Sequence, residues 1–124
     1  MARVLIVDDE VAILGLLATA FKRAGYDVAT AKSGEEAIAM AETSRYDAVL
    51  SDVSMSGMDG HQTVSRIRMQ RPGTVAVLMS GVHIECTGAC CVPVQHCTWL
   101  QKPFSPKAAV DMIAERLAAV PKVQ

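Results

Sequence analysis

Residues 3–9 read RVLIVDD, a short apolar run that ends abruptly in two carboxylates. An apolar run of this length, rich in Val and Ile, is typical of a strand buried on both faces of a sheet. The next apolar stretch is too long for a strand and ends at Gly25, so it predicts a helix over residues 11–24. A buried strand followed at once by a helix is the first unit expected of an α/β fold.

The same alternation of strand and helix continues along the chain. Ser33 and Glu36 have the spacing of a helix capping box, Pro72 and Gly73 stop a helix, and Ser105 supplies an N-cap. Strands are predicted at 3–7, 26–31, 46–51, 74–79 and 97–101, with helices at 11–24, 34–43, 61–70 and 106–119. Because parallel strands are joined by right-handed helical crossovers, these elements predict one doubly wound α/β domain, residues 1–124, around a five-stranded parallel sheet.

Composition narrows the class of protein. The 12 Lys and Arg residues nearly balance the 13 Asp and Glu residues, so neither a nucleic-acid-binding surface nor a polybasic membrane patch is indicated. No apolar stretch approaches the ~20 residues that a membrane helix needs, and residues 1–3 lead into a strand without the layout of a signal peptide. We therefore expect a cytoplasmic protein whose cysteines stay reduced unless a metal binds them.

Polar side chains stand where four predicted strands end. Asp8 and Asp9 close the first strand, Asp52 follows the third, Ser80 follows the fourth and Lys102 follows the fifth. The carboxyl ends of parallel strands share one edge, where open α/β sheets bind ligands. Three carboxylates at this edge would repel one another, and a divalent cation such as Mg²⁺ or Mn²⁺ would relieve that repulsion.

The same residue types suit phosphoryl transfer. An aspartate can attack phosphorus to form an acyl phosphate when the charge on the transferring oxygens is neutralised. Lys102 can supply part of that neutralisation, and the Ser80 hydroxyl can bond a phosphoryl oxygen. The competing interpretation is that acids at strand ends cap the following helices, a role open to Asp9, although capping does not account for Ser80 and Lys102.

Four segments together resemble the signature of receiver domains of two-component response regulators, and the resemblance covers essentially the whole chain. They are VLIVDDE at 4–10, DVSMSGMDG at 52–60, Ser80-Gly81 and Lys102-Pro103-Phe104. The resemblance implies a flavodoxin-like sheet with strand order 2-1-3-4-5. It also implies a phosphoprotein that takes a phosphoryl group from a sensor histidine kinase or a histidine phosphotransfer domain and catalyses only its own phosphorylation and dephosphorylation.

The resemblance assigns a role to each site residue. Asp52 would accept the phosphoryl group, and Asp9, Asp52 and the backbone carbonyl of Ser54 would bind Mg²⁺ directly, with Asp8 acting through water. Lys102 would contact the phosphoryl group, while Ser80 and the aromatic residue three before the lysine, Trp99, would form the conformational switch. The downstream protein is not specified, and phosphorylation-dependent homodimerisation is a possible output.

Two alternatives stay open. Residues 79–81 and 100–105, MSG and LQKPFS, resemble receivers fused to hybrid histidine kinases, so the chain could be such a segment or a phosphorelay intermediate. A Mg²⁺-dependent phosphatase that forms an aspartyl phosphate, of the haloacid-dehalogenase type, is more distant, because it normally requires Asp-x-Asp where this chain has Asp8-Asp9.

Residues 82–98 depart most from the family pattern. Gly88 and Pro93 leave room for only a short or irregular fourth helix, near 84–92. This segment also concentrates thiols and imidazoles, the ligands that suit zinc: Cys86, Cys90, Cys91, Cys97, His83 and His96. Zinc binding and a redox switch compete with ordinary packing of small apolar thiols, and the zinc content of protein purified without chelator would distinguish them.

Overall fold

Parallel pairing of short strands builds the centre of the molecule. A computed structural model describes residues 2–53, 57–71, 73–80, 97–101 and 105–119, and only the backbone of 97–99, 101 and 119. The strands are β1 (Arg3–Val7), β2 (Asp27–Ala31), β3 (Ala48–Asp52), β4 (Val75–Ser80) and β5 (Cys97–Gln101). The described helices are α1 (Val11–Arg23), α2 (Gly34–Thr43), α3 (Gly60–Gln70) and α4 (Pro106–Ala119).

The sheet order is β2-β1-β3-β4-β5, and every neighbouring pair is parallel. The α/β class and the order 2-1-3-4 of the first four strands confirm the prediction. The backbone of β5 lies beside β4, with Gln101 opposite Ser80. The predicted short helix at 84–92 lies outside the described residues.

Alternate residues of each central strand face opposite layers. In β1, Val4 and Ile6 pack with Phe21 of α1 and Ile113 of α4, whereas Leu5 belongs to the core beneath α2 and α3. This is the period of two that a strand imposes on its side chains. Because both faces are covered, as predicted for a doubly wound fold, β3 and β4 are buried at every position.

Several element boundaries differ by one or two residues from those predicted, whereas the bounds of β1, α2 and α4 match the prediction. The third strand begins at Ala48 rather than 46 and extends to Asp52. Just before this strand, the Asp47 carboxylate accepts a hydrogen bond from the Arg3 N–H at 2.8 Å. The fourth strand extends to Ser80, so Asp52 and Ser80 are the last residues of their strands instead of the first residues after them.

Contacts of Arg3 hold the strands together at the amino end of the sheet, opposite the edge where Asp52 and Ser80 lie. The Nε of Arg3 donates to Asp27 Oδ2 at 2.9 Å, and its guanidinium lies 5.1 Å from the centroid of the Tyr46 ring. Together with the bond to Asp47, these contacts join the amino ends of β1, β2 and β3.

Within the described residues, no helix combines the length and apolar character needed to cross a bilayer.

Alanine at Gly15 and Gly25 should have opposite effects on stability. An added Cβ would meet no atom within 4 Å at either position, but Gly25 has a φ of +97°. Gly15→Ala should raise the free energy of unfolding by about 0.5–1 kcal/mol, because alanine loses less conformational freedom in a helix. Gly25→Ala should lower it by about 1–2 kcal/mol, because left-handed backbone is costly for other residues. Urea denaturation measures both, and changes of the same sign would contradict this explanation.

Candidate metal centre

Three carboxylates converge at the carboxyl edge of the sheet. Asp8 follows β1 and Asp52 ends β3, and the pairing of Val7 with Ser51 brings these two aspartates level with each other. One carboxylate oxygen from each of Asp8, Asp9 and Asp52 lies within 4.8 Å of the others. The sequence predicted this grouping, and the parallel register is its physical cause.

The environments of the three carboxylates differ. Asp8 is fully buried, Asp52 is 6% exposed and Asp9 is exposed. Asp8 Oδ1 accepts the backbone N–H of Glu10 at 2.9 Å, which fixes the orientation of the carboxylate in an Asx-type turn. Such a group of hard oxygen ligands, partly buried and open on one side, fits a divalent cation such as Mg²⁺ that keeps several of its waters.

Helix capping does not account for these acids. Helix α1 begins at Val11, and its N-cap residue is Glu10, whose side chain makes no capping hydrogen bond. Asp9 is therefore not the cap of α1. The cluster keeps its carboxylates at the sheet edge, where the backbone register brings them together.

The backbone beyond Asp52 is held tightly at both ends of its loop. Val53 donates its N–H to Met79 O at 2.9 Å and accepts the N–H of Gly60 on its carbonyl at 3.0 Å. A Cβ added at Gly60 would overlap the carbonyl oxygen of Asp52 and lie 2.9 Å from the Cα of Val53. Only glycine at residue 60 lets α3 begin this close to the candidate acceptor.

A capping box that the sequence analysis missed fixes the same helix start. Asp59 Oδ1 accepts the N–H of Gln62 at 2.9 Å, and Gln62 Oε1 accepts the N–H of Asp59 at 3.2 Å. The spacing of an acid and an amide three residues apart was visible in the sequence. At α2, Ser33 caps Glu36 as predicted, but the Glu36 carboxylate accepts from the N–H of Lys32 at 3.4 Å, so the reciprocal half of that box is wrong.

The remaining predicted site residues divide by position. Ser80, 4% exposed, ends the strand next to that of Asp52. Lys102 and Ser54 lie outside the described residues, and Trp99 is described only as backbone of β5, opposite Leu78. The candidate zinc or redox residues also lie outside, namely Cys86, Cys90, Cys91, His83 and His96, with Cys97 described only as backbone.

This fold and this edge of carboxylates define the class of protein. The family model of the response regulator receiver domain matches residues 4–114. The chain therefore belongs to the receiver domain family of response regulators.

Individual relatives support the same assignment. The chain is 33% identical over 105 residues to the alkaline phosphatase synthesis transcriptional regulatory protein PhoP of Bacillus subtilis, covering 85% of this chain and 44% of the relative. It is thus similar to somewhat less than half of that regulator. Among solved structures, chemotaxis protein CheY4 of Vibrio cholerae is similar at 33% identity and a TM-score of 0.82, covering 93% of this chain and 98% of that one.

A receiver of another context is similar as well. The receiver domain from the hybrid histidine kinase CckA is 29% identical with a TM-score of 0.78, covering 93% of this chain and 98% of that chain.

Magnesium should stabilise the folded protein through this cluster. A ligand that binds only the native state adds about 2.7 kcal/mol to the free energy of unfolding at a concentration 100 times its Kd. We expect Mg²⁺ to raise the melting temperature of the native protein, and Asp9→Asn to lose most of that increase. Asp111→Asn, which removes an exposed carboxylate on α4, is the matched control. Equal stabilisation of both variants by Mg²⁺ would rule out this site.

Proposed function

We propose that this chain is a phosphoacceptor: Asp52 takes a phosphoryl group from a phosphohistidine of a sensor histidine kinase or histidine phosphotransfer domain, in a reaction that depends on Mg²⁺ or Mn²⁺. The observation that carries the proposal is the buried end of β3, where Asp52 stands within 4.8 Å of two further carboxylates. Membership of the receiver family supports it. The chain would catalyse only its own phosphorylation and dephosphorylation.

The proposed phosphoryl transfer is a displacement at phosphorus that involves no change of oxidation state and therefore needs no redox partner. An oxygen of the Asp52 carboxylate attacks phosphorus, the P–N bond to the donor imidazole breaks, and the released imidazole keeps the electron pair. Asp8, Asp9, Asp52 and the Ser54 carbonyl would hold Mg²⁺, which would offset negative charge on the transferring oxygens. Lys102 would contact one of these oxygens. Attack by water on the acyl phosphate would later return the carboxylate and release inorganic phosphate.

Burial distinguishes two of the candidate nucleophiles. Asp8 is fully buried and one of its oxygens already accepts the Glu10 N–H, so a donor cannot approach it in line. Asp52 retains some exposure at the edge. Asp9 is exposed, and direct mapping of the modified residue separates it from Asp52.

Incubation with acetyl phosphate and Mg²⁺ should add one phosphoryl group to the native protein. Intact mass spectrometry detects the adduct, and peptide mapping should place it on Asp52. Asp52→Asn should abolish the adduct because its side chain lacks the nucleophilic oxygen anion, whereas Asp111→Asn should leave it intact. An adduct that persists in Asp52→Asn, or maps to Asp9, would refute the assignment.

A switch through Ser80 and Trp99 is the second part of the proposal. Ser80 ends β4, and Trp99 lies in the backbone register of β5 opposite Leu78, two residues before Ser80. We propose that Ser80 moves toward the phosphoryl group and that the Trp99 side chain responds. This link would carry the signal from the edge of the sheet to the surface around β5.

The fluorescence of Trp99, the chain's only tryptophan, should change when Mg²⁺ and beryllofluoride bind. Ser80→Ala should still bind beryllofluoride, measured by fluorine nuclear magnetic resonance, but should show a much smaller fluorescence change because the hydroxyl that links the sites is absent. A fluorescence change in Ser80→Ala as large as that of the native protein would contradict the proposed coupling. So would an unchanged fluorescence of the native protein once binding of beryllofluoride is confirmed.

The biological setting has two candidates. The similarity to a receiver domain from a hybrid histidine kinase favours testing a phosphorelay role beside that of a response regulator. Transfer from this chain to a histidine phosphotransfer domain would favour the relay, whereas phosphorylation-dependent dimerisation would favour a regulator. A phosphatase is less well supported, since Asp8-Asp9 lacks the Asp-x-Asp spacing.

A further inference from the structure

We infer that Gly34 and Thr63 are positioning residues for the acceptor: the close packing of α2 on α3 holds the backbone of Asp52 in place. The inference rests on the proposed function, because it concerns the residue proposed to react. Neither Gly34 nor Thr63 belongs to the carboxylate cluster. They act through a series of close contacts that ends at the carbonyl group of Asp52.

The first contact joins the two helices. Gly34 is the first residue of α2 and is buried. A Cβ added there would overlap Thr63 Oγ1 and lie 3.2 Å from both Cβ and Cγ of Met58. The start of α2 therefore lies against the first turn of α3 and the loop before it, with no room for a side chain between them.

The second contact fixes Thr63 to the start of its own helix. Thr63 is fully buried, and its Oγ1 donates to the carbonyl of Asp59 at 2.8 Å. Its backbone N–H donates to the same oxygen at 3.0 Å. Because of these two hydrogen bonds, a displacement of the Thr63 side chain would also displace Asp59, the N-cap residue of α3.

The third contact reaches the acceptor. Gly60 follows Asp59, donates to Val53 O at 3.0 Å, and has no space for a Cβ beside the carbonyl of Asp52. On its other side Val53 is tied to β4 through Met79 O. Because close-packed groups cannot be compressed, a displacement of the α3 start has to move the backbone of Asp52 or break these bonds.

A parallel contact reaches the same loop from α2. Glu35 Oε2 lies 3.5 Å from the place of a Cβ at Gly57, and Gly57 has a φ of +79°. The first turn of α2 therefore borders the loop after Asp52 at both Gly57 and Met58. Through these contacts α2 helps to position Asp52, although α2 contributes no residue to the carboxylate cluster.

Gly34→Ala should slow phosphorylation by acetyl phosphate roughly tenfold, since a shift of about 1 Å in a reacting group can cost up to ~100-fold in rate. It should also weaken Mg²⁺ binding, which is measured with magnesium alone. The double variant Gly34→Ala/Thr63→Ala removes the overlapping oxygen and should return the rate to within about twofold of Thr63→Ala. Gly34→Ala/Thr63→Val keeps a γ group in that place and should stay slow.

Ala41→Gly is the matched control, because Ala41 is a buried residue of the same helix outside the series of contacts. It should lower the melting temperature without slowing phosphorylation. If Gly34→Ala does not fold, Thr63→Ser, which keeps the hydroxyl, should react like the native protein while Thr63→Val reacts more slowly.

The outcomes separate two failures. A native rate in Gly34→Ala, an equal slowing in Ala41→Gly, or no rescue by Thr63→Ala would overturn the positioning role. Native protein that acquires no adduct would refute the proposed function instead, and the magnesium affinities of the same variants would then decide whether α2 positions Asp52.

Discussion

The parallel register between β1 and β3 is the constraint on which the site depends. Because Val7 lies opposite Ser51, the next residues of the two strands bring Asp8 and Asp52 together. Like charges this close, one fully buried and one nearly so, cost free energy that hydrogen bonds or a cation must offset. A sheet covered on both faces gives the rigidity that keeps these carboxylates in place despite their repulsion.

The sequence predicts the parts of this arrangement that have local signals. Apolar residues dominate β1, β3 and β4, and Asp8, Asp52 and Ser80 stand at the carboxyl ends of these strands. In a parallel sheet, strand ends that are distant along the chain necessarily share an edge. The carboxylate cluster was therefore predictable from the sequence alone. The register of the strands determines how closely the carboxylates approach one another.

The close packing around Asp52 was not predictable in the same way. The need for glycine at Gly34 and Gly60 arises from neighbours that are distant in sequence or folded back on the chain, and nothing in the local pattern identifies which atom would be met. The spacing of Ser33 and Glu36 predicted a reciprocal bond to the N–H of Ser33, whereas the Glu36 carboxylate accepts from the N–H of Lys32. The capping box at Asp59 is different, because its spacing was present in the sequence and was overlooked.

The contacts of Arg3 lie at one end of the strands, and the carboxylate cluster lies at the other end. Arg3 ties the amino ends of β1, β2 and β3, a strand length of about 17 Å from the carboxylates for five residues at about 3.3 Å each. A polypeptide joined ahead of residue 2 would leave the domain beside Arg3. An amino-terminal affinity tag or fluorescent label would thus start on the side remote from the carboxylate cluster, which makes that end the natural attachment point for immobilising the domain with the carboxylate edge of the sheet unobstructed.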